Sequence, residues 1–552
     1  MTFSMKYFNS TLLHTLRYLR GQLRGHRLQI ALNTLLGVLL VGVDLGFVWT
    51  TKLAIDIATH HTQSTNLSTA FMLMGLLMMS RIVITIFNRW IRAILGVKAQ
   101  NDMRLHIFNQ LLNSKWTAVR KYHTGNLTNR IERDVYDVTN FITESIPAFV
   151  TTCVQFVGAF LFLFYMDKML AMIITCIVPF FLLSSKLYVK KMKRLTHDIR
   201  EKESNIQSLI QETLQHNILV KTLDCFDILT DKLNARQHAL HHTVIERTKY
   251  ATLSSSLLNL GFATGYFVTF AWGATQLMHN HISYGTMLAF VQLVSQIQVP
   301  VRTLSRFVPI FINAFTATER LMEMDHIEQE SARVTDVVPT ASALNFERVT
   351  FKYEGGSRAI FTDFSFSIPA GSVTVITGET GSGKTTLIRL ILALAKPQSG
   401  LVSICDTQGN THPIDAHLRK CIAYVPQGNS LISGTIRSNI LLGNPDATEP
   451  EIREALTMAG ADFVFKKEFG LDTTCGETGD GLSEGQAQRI AIARALVSDR
   501  PILIFDEATS ALDNATERFV TERIVRHLQG RTLIFITHRE EVLKYANNRL
   551  HL

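Results

Sequence analysis

The sequence is short of the residues that staple small folds or hold structural zinc. Its 552 residues include six cysteines (Cys153, Cys176, Cys225, Cys405, Cys421 and Cys475), none in a C-x-x-C pair and none with a histidine at zinc-ligand spacing. That excludes a disulfide scaffold and a zinc module. The thiols read as reduced, small apolar side chains of a cytosol-facing or membrane protein. No cleavable signal peptide is evident. Charge is scarce as well: 18% of residues are charged against 47% apolar, and the mean hydropathy of +0.15 is high for a purely soluble protein. The net charge of +9 does not argue for nucleic acid, because the basic residues mostly flank apolar spans, where they favour the inner side of a membrane. At this length one core does not suffice, and two or more domains are expected.

The apolar excess lies in the first three-fifths of the chain. Met1–Arg27 places Leu12, Leu16, Leu19 and Leu23 on one helical face among Arg17, Arg20, Arg24 and Arg27, as a basic amphipathic helix at the inner membrane surface would. Six stretches then follow that are long enough to cross a bilayer: Leu28–Ile57, Ser68–Leu95, Ile146–Met166, Met169–Leu187, Leu257–Met278 and Thr286–Phe311. The short connections between them hold one Lys or Arg, Lys168, whereas Gly96–Val138 and Tyr188–Ser254 are long and basic. Those long segments are therefore expected in the cytoplasm, with both termini. Glu201–His238 has apolar positions at helical spacing (Ile206, Leu209, Ile210, Leu214, Ile218) and reads as a helix reaching tens of ångströms past the membrane at ~1.5 Å per residue. Lys115–Asp134 and Val220–Leu233 are the expected turning points and docking elements. Asp44 and Arg81 lie about equally far from the middle of the first outer connection. An isolated charge at that depth is costly, so an Asp44–Arg81 ion pair or shared polar network is predicted, with a structural role before a substrate-binding one. Pro179 and Pro300 fall inside spans, where proline is tolerated, and carry no functional weight.

The polar stretch Glu328–Thr340 marks a linker, and from Leu344 the chain turns strand-rich and then alternates strands with helices. The expected division is a membrane domain over 1–328, a linker over 329–343 and a nucleotide-binding domain over 344–552. Gly378-Glu-Thr-Gly381-Ser382-Gly383-Lys384-Thr385-Thr386 fits G-x-x-x-x-G-K-[ST], between an apolar run (Val373–Thr377) and a helical one. Glycines there let backbone N–H groups wrap a phosphate, Lys384 reaches the β- and γ-phosphates, and the Thr385 hydroxyl suits Mg²⁺. Downstream, Tyr424-Val-Pro-Gln427 offers an amide oxygen to a metal. Leu482-Ser483-Glu484-Gly485-Gln486 opens a helix with Ser483 as N-cap. The strand Pro501–Phe505 ends in Asp506, suited to Mg²⁺, and Glu507, suited to taking a proton from water. Ile534–Thr537 ends in His538, and Tyr353 is an aromatic available for stacking on adenine.

Together these motifs resemble an ABC transporter, specifically a half-size exporter, over nearly the whole chain. The resemblance implies a six-span helical domain with long cytoplasmic extensions followed by an α/β P-loop ATPase. It implies Tyr353 as the adenine-stacking aromatic, Gln427 as the Q-loop residue, Glu507 as the catalytic carboxylate, Asp513 as the D-loop residue and His538 as the switch histidine. Thr124-Gly-Asn-Leu127, Arg130 and Asp134 resemble the first intracellular loop of such exporters. ATP and Mg²⁺ are the implied ligands. In the implied dimer, each Gly378–Thr386 loop faces Ser483, Gly485 and Gln486 of the partner across ATP. The expected partner is a second half-transporter, a homodimer before a heterodimer, in the inner membrane, with the ATPase domain and both termini in the cytoplasm. The expected activity is ATP-driven export of a hydrophobic or amphipathic lipid, drug or peptide. The alternatives are a lipid flippase, or one half of a heterodimer with an asymmetric ATP site. One departure stands out: Glu484 occupies a signature position where the family usually has glycine, which bears on the hydrolysis rate.

Overall fold

The computed structural model describes residues 15, 17–19, 21, 25–61, 66–122, 124–185, 189–330, 343–353, 355–356, 358–406, 409–476 and 481–552. Most of the N-terminal amphipathic stretch and of the linker lies outside the described residues. The chain divides into two compact units, one of residues 1–109 and 124–326 and the other of residues 110–123 and 327–552. Residues 110–123, expected within the domain over 1–328, cluster instead with the second unit.

The first unit is built of helices: α1 (Arg27–Ala58), α2 (Leu67–Leu112), α3 (Ile146–Met166), α4 (Lys168–Ser185), α5 (Val189–Gln215), α6 (Phe226–Met278) and α7 (Tyr284–Asp325). Every stretch expected to span falls in one of α1–α4, α6 and α7, apart from Lys186 and Leu187, which are outside the described residues. The helical runs Arg27–Ala58, Leu67–Leu112 and Thr124–Met166 are by themselves long and apolar enough to cross a membrane. At ~1.5 Å per residue the 53 residues of α6 extend ~80 Å, against a hydrocarbon thickness of ~30 Å. The excess extends beyond the hydrocarbon thickness. There α5 runs antiparallel to α6, joined by Lys191–Glu246 (3.0 Å) and Lys202 Nζ to Thr243 Oγ1 (2.6 Å). The long helix expected over Glu201–His238 is instead interrupted. It stops at Gln215, resumes briefly over Asn217–Thr222, and turns at Asp224, whose φ of +49° is left-handed. The turn at Asp224 thus falls within the expected Val220–Leu233, and the break before it begins at His216.

Small and polar residues set the helix packing. A Cβ on Gly37 would lie 2.3 Å from Thr151 Oγ1, and one on Gly158 would lie 2.9 Å from Leu45 Cδ1, so glycine is what allows α1 this close to α3. Asp167 joins α3 to α4 by accepting from Leu170 N (2.9 Å) and from Trp272 Nε1 (2.8 Å). Ser283 caps α7 by accepting from Thr286 N (3.1 Å). Buried Arg130 reaches Glu323 (2.9 Å) and the Arg320 carbonyl (2.8 Å), bracing the segment before α3 against the end of α7.

Arg81 Nε meets Asp44 Oδ1 at 3.1 Å, the ion pair expected from their matched depth. Arg81→Met strands the carboxylate, at roughly 3 kcal/mol for a charge at membrane depth. The double variant Asp44→Asn/Arg81→Met removes both charges. Its thermal midpoint in nanodiscs is expected to recover most of what the single variant loses, and an equal loss in both would rule out a pairing role.

The second unit holds a four-stranded antiparallel sheet and a five-stranded parallel one. The first, ordered β2-β1-β4-β5, comprises β1 (Ala343–Phe351), β2 (Phe361–Ile368), β4 (Ser399–Cys405) and β5 (Thr411–Pro413). The second, ordered β11-β3-β10-β9-β6, comprises β3 (Val373–Thr377), β6 (Ile422–Val425), β9 (Ile502–Asp506), β10 (Thr532–Ile536) and β11 (Asn548–His551). Strands β9 and β10 are buried throughout, as their unbroken apolar runs require in a sheet covered on both faces. Two-residue strands Gly434–Thr435 and Thr474–Cys475 (β7 and β8) pair separately. The helices used below are α8 (Lys384–Ile391), α9 (Glu484–Leu496) and α10 (Asn514–His527).

Residues 110–123 join this unit at the point where the chain enters it. Lys115 N donates to Glu328 O (2.9 Å), Glu330 N to Asn113 O (2.8 Å), and Ser114 bridges Gln329 in an antiparallel sense. Glu330 in turn receives both terminal nitrogens of Arg419 at 2.7 Å, a fork-to-carboxylate pairing.

Candidate nucleotide site

Parallel register gathers the motifs at one edge. Residues 373–376 pair with 533–536, and 502–506 pair with 532–536, so β3, β9 and β10 end at one level. The phosphate loop leaves β3, Asp506 and Glu507 end β9, His538 follows β10, and Gln427 follows β6. Ligands of open α/β sheets bind at such carboxyl ends.

The loop itself is fixed by its glycines. Gly378, Gly381 and Gly383 have φ of +149°, +90° and +111°, a region that side chains avoid. A Cβ on Gly383 would also press against Ile360 Cγ2 at 2.9 Å and Phe361 Cζ at 3.0 Å. Gly383 opens α8, so its first N–H groups face the loop. Ser382 Oγ is buried with no hydrogen-bond partner among the described residues, a polar atom beside Gly378 in the cradle. Lys384 Nζ donates to the Gly378 carbonyl (2.5 Å) and to His538 Nε2 (2.8 Å). An ammonium only donates, so Nε2 accepts and the ring proton sits on Nδ1. These are the features an anionic triphosphate fits.

The carboxylates are set apart by environment. Asp506 is buried and accepts from Tyr424 OH at 3.0 Å. Burial pushes its carboxyl above the ordinary range, aided by Glu507 and opposed by the Tyr424 hydrogen bond and Lys384. Burial, then Asp506, raises the Tyr424 phenol strongly, so it remains a donor. Glu507 has a left-handed φ of +46°, an unusual conformation for a residue with a Cβ. Its N–H donates to Ile536 O (2.9 Å) and its carboxylate accepts from Gln427 Nε2 (2.7 Å). Asp506, the Gln427 amide and the Thr385 hydroxyl form a set of hard oxygen donors suited to Mg²⁺.

The signature segment sits on α9. Ser483 accepts from Gln486 N (3.3 Å) while Gln486 Oε1 accepts from Ser483 N (3.2 Å), a reciprocal capping box. Glu484 occupies the first turn, where a carboxylate suits the helix dipole. Asp513 caps α10 through Thr516 N (3.0 Å) and Thr516 Oγ1 (2.7 Å), and these bonds hold its carboxyl below the usual range. Among the described residues, no hydrogen bond joins Ser483, Gly485 or Gln486 to the phosphate loop.

Sequence reasoning missed the residues that connect these motifs. Buried Gln488 ties α9 to the segment after Glu507, accepting from Ala511 N and donating to Ser510 Oγ, both at 3.1 Å. Arg539, next to His538, reaches Asn514 (3.0 Å), buried Glu517 (3.2 Å) and the Ser510 carbonyl (3.1 Å). Their only sequence signal is adjacency to a motif. Gly485 belongs to the same junction, since a Cβ there would lie 2.9 Å from the Ala511 carbonyl oxygen. Gly485→Ala is therefore expected to displace the Ser510–Asp513 turn and lower ATPase activity on the order of ten- to a hundredfold, with ATP binding at the phosphate loop retained. Parallel turnover and nucleotide titrations check it, and loss of both together would point to misfolding.

Residues 30–301 match the family described as the ABC transporter transmembrane region, and residues 361–510 match the ABC transporter family. An ATP-dependent lipid A-core flippase of Desulfotalea psychrophila is 30% identical over 82% of this chain and 79% of its own. A putative export ATP-binding/permease protein of Rickettsia conorii is 28% identical, covering 94% and 90%. A putative multidrug export ATP-binding/permease protein of Staphylococcus aureus is 26% identical, covering 96% and 93%. The solved structure of a bacterial Atm1-family ABC exporter with ATP bound superposes with a TM-score of 0.78 at 24% identity, covering 96% of this chain and 94% of that one, a likeness of fold.

Proposed function

This chain belongs to the ABC transporters, membrane proteins that couple ATP hydrolysis to transport, and from that premise we propose that it exports an amphipathic substrate as a dimer of half-transporters. The observation that carries the proposal is the convergence of Lys384, Asp506, Glu507, His538 and Gln427 at one sheet edge, in a chain whose first unit is membrane-crossing helices.

Each residue has a part. The loop N–H groups and Ser382 Oγ hold the phosphates, and Lys384 exchanges His538 for the terminal phosphates. That exchange frees Nε2 of His538 to face the γ-phosphate. Thr385, Asp506 and Gln427 would hold Mg²⁺, which supplies charge neutralisation on the β- and γ-oxygens. Glu507 accepts the proton of the attacking water, and the Gln427 amide, bonded to that carboxylate, orients it. Ser483, Gly485 and Gln486 complete the site of the partner protomer, in a homodimer before a heterodimer. The ATPase unit lies on the cytoplasmic side of the inner membrane. ATP binding favours the closed dimer, and hydrolysis releases it.

A groove of about 780 Å³ between α1 and α2 favours an amphipathic anion, and a lipid in particular. It is lined by apolar side chains such as Phe47, Leu77 and Ile86, together with Arg81, Arg89 and Trp90. Arg81 is paired with Asp44, whereas Arg89 forms no ion pair or hydrogen bond among the described residues. The test is transport by the chain alone in proteoliposomes, with fluorescent anionic phospholipids and neutral amphipaths offered from the ATPase side. ATP-dependent appearance of the anionic probe in the opposite leaflet is the expected result. ATP hydrolysis with no movement of any amphipath would overturn the substrate class. No hydrolysis at all would overturn the homodimer.

A further inference from the structure

Arg389 is on α8, three residues beyond Thr386, and faces two aromatic rings within the ATPase unit. Its Nη1 donates to Tyr353 OH at 2.7 Å, and its guanidinium carbon lies 5.8 Å from the Tyr353 ring centroid. The same carbon lies 5.0 Å from the ring centroid of Trp116, in the short helix Trp116–Val119 of the first intracellular turn. Arg120, one turn along, stands 5.1 Å from that ring. Tyr353 OH also meets Thr386 Oγ1, the last residue of the phosphate loop, at 3.1 Å.

The chemistry gives this chain of contacts a direction. A guanidinium has no acceptor, so the phenol oxygen accepts from Arg389. The phenol keeps its own proton to give to Thr386 Oγ1, in which case the threonine hydroxyl proton is available to a further acceptor such as a bound phosphate. Hydrogen bonds aligned head to tail polarise one another, so an acceptor at Thr386 strengthens the bond at Arg389. A guanidinium held by a stronger bond on one side changes its stacking on Trp116 on the other.

We propose that Arg389 is a positioning residue that reports nucleotide occupancy at Tyr353 and Thr386 to the first intracellular turn through Trp116. The proposal rests on the reading of Tyr353 as the adenine platform. It adds the side chain that holds the platform and the ring that senses it.

The test uses the full chain in nanodiscs, with tryptophan emission and ATPase kinetics as readouts. ATP is expected to change the emission, and Trp116→Phe to abolish that change. Arg389→Met and Tyr353→Phe are expected to abolish it as well; the KM for ATP rises about fivefold for the one hydrogen bond lost in Arg389→Met, with kcat unchanged, and rises further in Tyr353→Phe, which loses the bonds to both Arg389 and Thr386. Arg389→Lys keeps charge and helix propensity, so its loss of the signal excludes misfolding as the cause. Arg120→Met touches the ring but not Tyr353, and keeps the signal. An ATP-dependent change that survives Trp116→Phe or Arg389→Met overturns the relay. If Tyr353→Ala leaves the KM as in the parent, the adenine reading itself fails. A raised KM in Tyr353→Ala with Arg389→Met silent overturns the relay alone.

Discussion

Glu507→Gln is expected to lower the ATPase rate by ~10²–10⁴, the usual contribution of a positioned general base, while ATP affinity stays at the parent value. The substitution is nearly isosteric. The amide retains an oxygen to accept from Gln427 Nε2, and the backbone bond from residue 507 to Ile536 O is untouched. The left-handed φ of +46° is held by strand β10 and by the turn through Ser510, not by the charge. What disappears is the capacity to take a proton. Steady-state hydrolysis and an ATP titration on the same nanodisc sample give the two quantities. A rate within tenfold of the parent would assign the base elsewhere, whereas a parallel loss of affinity would make Glu507 a binding residue.

Asp506→Asn separates stability from activity. Burial raises the Asp506 carboxyl above its ordinary value in the folded protein. A group raised in this way favours folding below its unfolded pKa, and that contribution is lost as pH rises through the folded value. At neutral pH the buried carboxylate is therefore a cost to the protein without nucleotide. Asn removes the charge and keeps an oxygen for Tyr424 OH, so the variant melts above the parent at neutral pH. The difference closes as pH falls toward the ordinary aspartate range, where the parent protonates. Hydrolysis falls on the order of a hundredfold or more, because a hard anionic ligand for Mg²⁺ is gone. Melting curves across pH, paired with ATPase rates, test both halves. A variant less stable than its parent at neutral pH would mean that the Tyr424 and Lys384 contacts outweigh burial.

The parts legible in the sequence are those with a local physical signature. The phosphate loop is readable because glycine at +90° and +111° has no substitute, and Ser483 because an N-cap acts within three residues. The spans were readable from hydropathy alone, and the Asp44–Arg81 pair from depth, since membrane thickness turns sequence distance into position. The residues that stayed hidden act across the fold. Gln488 acts on Ala511, Tyr424 on Asp506 and Arg389 on Trp116, and a glutamine, tyrosine or arginine carries no local mark of such a partner. The turn at Asp224 lies within the expected Val220–Leu233, but the earlier break after Gln215 was hidden for another reason. Periodic apolar positions continue through it, and one left-handed aspartate, Asp224, turns the chain.

The bridge between Ser114 and Gln329 has a topological consequence. Residues 124–326, 203 in all, leave the ATPase unit and return to it beside their point of departure, so this part of the helical unit is inserted in the ATPase unit, and with residues 1–109 preceding it both units are discontinuous. A soluble fragment begun at Ala343 is accordingly not a whole unit. It omits residues 110–123 with Trp116, and it omits Glu330, the carboxylate that engages Arg419. Turnover measured on such a fragment describes a catalyst with an open seam, and a peptide spanning residues 110–123 is the natural piece to close it in trans.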